Sequence, residues 1–263
     1  LTSVVVTVFE PLGRALPGMN LLYPTFGHNH VANIIVFALP LALYRRLLLA
    51  VFFGLALVFS FARGAWLLMG GYLAYVLLAP RGISARAKQM GVGVVLAGAL
   101  AVFMLPGVSN YLPPVISGSP LLQRQIVKES ILANRLQYWK QAAAATRERP
   151  LFGAGPGTFY LLSKRLQEAP GSYSWFTHSF PLELFSEIGA IGLIGVIWLI
   201  GGVLRVAKRG PLFHGVVLTL AYSMYEMNLN FLVVWLLFWA AMGILFTRAR
   251  QEESKHPAQN YLL

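Results

Sequence analysis

Apolar residues in this chain fall into long runs, not into the three-to-four-residue rhythm of a half-buried surface helix. Runs near 31–44, 47–62, 64–80, 90–106, 179–204, 211–228 and 230–247 are candidate membrane spans, because a hydrocarbon core of roughly 30 Å takes about 20 apolar residues per helix. The pattern predicts an all-α, multi-pass membrane bundle of about seven spans. One polar stretch interrupts the series: residues 107–177 form a long loop that ends at His178, where the fifth apolar run begins. Within it, 121–148 predicts a helix stopped by Pro150, Gly153 to Gly157 predict a turn, and 159–167 predicts a second, short helix. The organisation is a single membrane domain, 1–263, with the 107–177 loop inserted.

Leu132, Leu136, Trp139 and Ala143 recur at helical spacing and mark one buried or membrane-contacting stripe, with Arg135 on its border. Tyr138 and Trp139 suit a helix lying at headgroup depth.

Composition agrees with the runs. The chain is 57% hydrophobic and 11% charged, outside the range of soluble domains. It has no cysteine, which removes disulfides, thiolate metal sites and a cysteine nucleophile. The net charge of +12 is spread over connections between spans, so no nucleic-acid partner is expected. Arg45 and Arg46, then Arg81, Arg86 and Lys88, then Arg205, Lys208 and Arg209, then Arg248, Arg250 and Lys255 share one side of an alternating bundle. Short-loop cations mark the cytoplasm, which puts the C-terminus inside, the N-terminus outside and the 107–177 loop outside. That loop holds eight cations, Arg124 and Arg135 among them, against Glu129, Glu148 and Glu168. The surplus reads as an anionic ligand or as ordinary solvated charge. Residues 1–27 lack the basic and apolar regions of a signal peptide and open on Leu1, so the chain reads as N-terminally incomplete.

All nine acids are glutamates. Without an Asp-x-Asp pair or histidines at ligand spacing, neither metal nor cofactor is expected. Gly153, Gly155 and Gly157 lack the Gly-Lys-Ser/Thr of a nucleotide loop and read as a turn. His178 has two readings: an imidazole titrates near neutrality and suits a general base for a hydroxyl, or it caps or hydrogen-bonds at a helix start. His28 and His30 read as polar residues heading the first span. Arg63, between two apolar runs, either serves a site or snorkels to the interface. Glu183 and Glu187, one turn apart, relay protons or pair with arginine, and pairing is preferred.

Five motifs then line up: Asn29-His30-Val31-Ala32 before a span, Ser60-Phe61-Ala62-Arg63-Gly64-Ala65-Trp66, Asn134-Arg135 with Trp139, Pro150-Leu151-Phe152-Gly153-Ala154-Gly155-Pro156-Gly157-Thr158-Phe159, and His178-Ser179 followed by Gly189 and Gly192. In this order the chain resembles the O-antigen ligase and polymerase superfamily over about residues 27 to 205. The resemblance implies a metal-independent glycosyltransferase of the bacterial inner membrane, with its active face periplasmic. It implies an undecaprenyl-pyrophosphate-linked glycan as donor and a lipid or glycan hydroxyl as acceptor. Arg63 and Arg135 would then hold the pyrophosphate and His178 would activate the acceptor, with Arg124, Trp139 and His30 as substrate-binding residues. A polysaccharide polymerase of the same superfamily and a non-catalytic or transporter-like membrane protein are the alternatives.

Overall fold

The computed structural model describes residues 28–60, 62–78 and 130–255. The expected span at 90–106 and Arg124 lie outside them. The chain divides into two compact units, Leu1–Glu129 and Ser130–Leu263, and among the described residues every regular element is helical.

In the first unit α1 (His28–Arg45), α2 (Leu47–Phe59) and α3 (Arg63–Leu78) occupy three of the expected apolar runs. Helix α1 packs on both of the others and buries Val31, Ala32, Ile35, Val36 and Leu39. The turn from α2 to α3 is braced at one carbonyl. Leu57 O accepts the Ser60 hydroxyl at 2.6 Å and the Trp66 indole N–H at 2.7 Å, and Ser60 Oγ accepts Ala62 N–H at 3.3 Å. These bonds give the Ser60-to-Trp66 motif a structural role: they satisfy the last turn of α2 and fix Arg63 as the first residue of α3.

In the second unit α4 (Ser130–Glu148) stops short of Pro150, and α5 (Phe159–Arg165) is the short second helix of the loop. They are followed by α6 (Phe180–Val206), α7 (Pro211–Ser223), a 3₁₀ turn at Asn228–Asn230 and α8 (Leu232–Lys255). The 27 residues of α6 and 24 of α8 at about 1.5 Å each exceed a 30 Å core. Both expose apolar side chains, including Ile194, Ile197, Trp198, Leu232 and Leu236, a surface that water disfavours and lipid suits. These two helices are long and apolar enough to span a membrane, whereas Asn29–Tyr44, Leu48–Leu57, Gly64–Leu78 and Pro211–Ser223 are shorter apolar segments. The run expected to continue to 228 ends as helix at Ser223, because the chain turns through Met224 to Met227 before the 3₁₀ turn.

Helices α6 and α8 run parallel, with α7 returning between them. Asn230, just before α8, donates to Glu183 in the first turn of α6, while Lys208, just after α6, meets Glu252 in the last turns of α8 at 3.2 Å. The basic ends therefore lie together, opposite the end that holds Glu183.

Helix α6 is broken at Gly189, whose φ of 68° and ψ of −172° leave the helical region. A break in an apolar helix strands backbone groups that must find partners. The Pro150–Phe159 segment supplies them. Ala154 N–H donates to Ser186 O at 3.0 Å and Gly155 N–H to Glu187 O at 2.8 Å, while Ala190 and Ile191 N–H donate to Pro150 O and Leu151 O at 2.8 and 3.2 Å. The backbones cross so closely that a Cβ at Gly153 would overlap the Glu187 carbonyl and one at Gly189 the Leu151 carbonyl. Both glycines also have positive φ. Glu187 completes the joint, accepting Gly157 N–H at 2.9 Å and Phe159 N–H at 3.1 Å, the latter from the first turn of α5.

Gly153→Ala and Gly189→Ala are each expected to lower stability by more than about 1 kcal/mol. Gly157→Ala, with positive φ but open space around it, is expected to lower it less. Thermal unfolding of the detergent-solubilised protein checks the order.

Candidate functional site

The segment after α5 carries His178 to the start of α6, and its backbone there is unusual. His178 has φ of 56° and, among the described residues, is the one non-glycine with positive φ. Such a conformation costs on the order of 1 kcal/mol and persists where the surroundings impose it, most often at functional sites. Its neighbours are held tightly: Thr177 N–H donates to Glu183 Oε2 at 3.0 Å and Ser179 N–H to Thr177 Oγ1 at 3.0 Å. The helix-capping position is Ser179, so His178 does not cap.

The imidazole instead stacks on Tyr138 of α4, with ring centroids 5.9 Å apart and planes at 22°. Its Nδ1 lies 3.7 Å from Oε2 of Glu226, a separation longer than a hydrogen bond. The other oxygen, Oε1, pairs with Nη2 of Arg135, whose Nη1 donates to Tyr225 O at 3.1 Å. Arg135 and Tyr138 are three residues apart on α4 and so share a face. That face continues inward through the buried Ala142 and Ala145, while Leu136 and Ala143 of the expected stripe point outward. One carboxylate thus joins a guanidinium and an imidazole. Glu226 is 4% exposed, against 21% for Arg135 and 23% for His178, so the anion is buried while the guanidinium and the imidazole beside it reach the surface.

Glu226 lies in the turn beyond α7. Burial pushes its carboxyl up, but His178 and Arg135 beside it outweigh burial and hold it below the ordinary range. The carboxylate is charged, and its two oxygens face two different elements.

Of the residues singled out in the sequence, Arg135 and His178 come together. Trp139 follows Tyr138 on α4, and its buried indole N–H has no hydrogen-bond partner among the described residues. His30 is buried near the start of α1, in the first unit, and Arg63 opens α3 there. The expected pairing of Glu183 and Glu187 with arginine is overturned. Glu183 accepts from Thr177 and Asn230, and Glu187 from backbone amides, because donors on the adjoining loops reach them first. The acid that pairs with Arg135 is Glu226, 91 residues away. Its position beside Asn228 and Asn230 in a polar interruption between apolar runs was the only signal available.

Residues 48–197, more than half of the chain, match the family model described as O-antigen ligase. The chain belongs to the O-antigen ligase family. No curated protein and no solved structure matches it. Membership carries a glycan-joining, glycosyltransferase-like activity and a membrane setting. The matched span contains Arg63, Arg135 and His178 and stops before Glu226.

Glu226→Gln is expected to lower stability by about 2 kcal/mol, because it leaves Arg135 without its counter-charge. The depressed carboxyl also fixes a pH dependence: its contribution is complete above the ordinary value of 4.5 and is lost as pH falls through the lower folded value. Thermal unfolding between pH 3 and 6 should show an acid-side loss in the parent that the variant lacks.

Proposed function

We propose that the chain transfers a glycan from an undecaprenyl-pyrophosphate donor to an acceptor hydroxyl, without a metal, at the Arg135, Glu226 and His178 cluster. The observation that carries this reading is the single buried carboxylate that holds a phosphate-binding guanidinium and a proton-accepting imidazole side by side. With Nδ1 turned toward Glu226, Nε2 is left for substrate, the arrangement by which a carboxylate orients a general base. The acceptor oxygen attacks the anomeric carbon and its proton passes to Nε2. The bond from that carbon to the pyrophosphate breaks, and its electron pair leaves on the phosphate oxygen. Arg135 offsets that charge with the donors it has left, as a fixed fork does in phosphate recognition. Trp139, next to Tyr138 on α4, contacts substrate.

Placement within the second unit supports an extracytoplasmic site, because the cluster sits at the end opposite Lys208 and the basic tail of α8. It also argues against a conduit, since Glu183, Glu226, Asn228 and Asn230 gather at one end of the helices and do not line their length. An aromatic face supports the glycan: Trp175, 65% exposed, stacks on Tyr160 at 4.2 Å and 18°. Its free face suits the C–H side of a sugar ring, and three residues of chain keep it within about 11 Å of His178 along the backbone.

In membranes carrying a lipid-linked glycan, His178→Ala is expected to cut turnover by about 10²- to 10⁴-fold with donor affinity kept. Arg135→Lys should weaken both, since an ammonium lacks the fork, and Trp175→Ala should raise KM with kcat nearly unchanged. Full activity in both His178→Ala and Arg135→Ala would remove the mechanism.

A further inference from the structure

We propose that Glu183 is the positioning residue for His178: it locks the left-handed backbone that aims the imidazole and ties that backbone to the turn that carries Glu226. Glu183 is buried in the first turn of α6 and does not touch the Arg135 pair. Its two oxygens serve two elements. Oε2 accepts Thr177 N–H at 3.0 Å and lies 3.1 Å from Thr177 Oγ1, and Oε1 accepts Asn230 Nδ2 at 2.6 Å.

The rest of the clamp is local. Thr177 Oγ1 donates to Ser179 O at 2.6 Å and accepts Ser179 N–H at 3.0 Å, and Ser179 O also accepts Glu183 N–H at 3.0 Å. Both residues flanking His178 are therefore fixed to Glu183, directly or through Thr177. Left-handed backbone in a residue with a Cβ is unfavourable by itself, so the imidazole keeps its place between Tyr138 and Glu226 only while those bonds persist. Asn230 extends the control. It ends the 3₁₀ turn that starts two residues after Glu226, so one carboxylate sets the distance between the imidazole and the acid that orients it.

The bond directions supply a test. Thr177 N–H and Asn230 Nδ2 are both donors, so each needs an acceptor oxygen on residue 183. Glu183→Gln turns one oxygen into a donor that faces one of them. Glu183→Gln combined with Asn230→Asp reverses one bond and restores a complete set.

The kinetic half of this inference rests on the glycosyl-transfer reading, so the experiment measures geometry separately. Diethyl pyrocarbonate acylation of His178 is followed by mass spectrometry on the intact, detergent-solubilised chain, alongside transfer from a lipid-linked glycan. Glu183→Gln is expected to change the rate of His178 acylation several-fold and to lower kcat at least tenfold with donor KM kept. The double variant should return both toward the parent. Thr177→Val, isosteric and lacking the hydroxyl bonds, should give a milder form and stands in if Glu183→Gln fails to fold.

Acylation and kcat within twofold of the parent in Glu183→Gln, or in Thr177→Val where that variant stands in, would overturn the proposal. So would a folded double variant that rescues neither. Shifted and rescued acylation with no transfer by the parent would sink the glycosyl-transfer reading and leave the positioning role standing.

Discussion

A carboxylate at the end of an apolar helix is stable only if donors are brought to it, and three glutamates impose that constraint on the second unit. Glu183 collects the Thr177–Ser179 segment and Asn230, Glu187 collects the Gly157–Phe159 amides, and Glu226 collects Arg135 and His178. Water would serve these oxygens on a soluble protein. Beside lipid, the protein itself must serve them. Each acid therefore fixes one connection, and together they fold the loop onto the helix ends and build the site.

The broken helix follows the same logic. Gly189 interrupts α6 and releases carbonyls at Ser186 and Glu187 and amides at Ala190 and Ile191, which the Pro150–Gly155 backbone takes up in full. Two motifs 30 or more residues apart in sequence are one joint in space. Their glycines at 153 and 189 are required by closeness and by backbone sign. The joint also holds α5 against α6, which sets where the segment leading to His178 begins.

Much of the fold was legible in the order of apolar runs. Their ends fell within a few residues of α1, α2, α3 and α6, Pro150 marked the stop of α4, and the motif order pointed to the family that the 48–197 match then established. Partnership between side chains was not legible. Glu183 and Glu187 stand one turn apart and read as arginine partners, yet neither takes one, while Glu226 does so across 91 residues. Spacing along a helix reports which residues share a face, but not which loop will lie over that face. The count of spans was legible in part, since α6 and α8 have the length and the apolar surface while α7 is cut short by its turn.

The division of labour among the glutamates bears on how such a site holds its geometry in a membrane. Glu226, beside the Arg135 guanidinium and the His178 imidazole, keeps its charge. Among the described residues Glu183 and Glu187 accept hydrogen bonds from neutral donors, and those bonds fix the direction of the segments that make them. A hydrogen bond to a buried carboxylate is stronger than one between neutral groups and more costly to leave unmade. Backbone amides held this way have few alternative arrangements, and the His178 conformation, unfavourable in isolation, becomes the one that leaves no donor stranded. The imidazole is aimed by the loop's hydrogen bonds first and by its own side-chain contacts second. Both sets of contacts end on glutamates at the same end of the unit, so displacement of either strand of the site is resisted by the other.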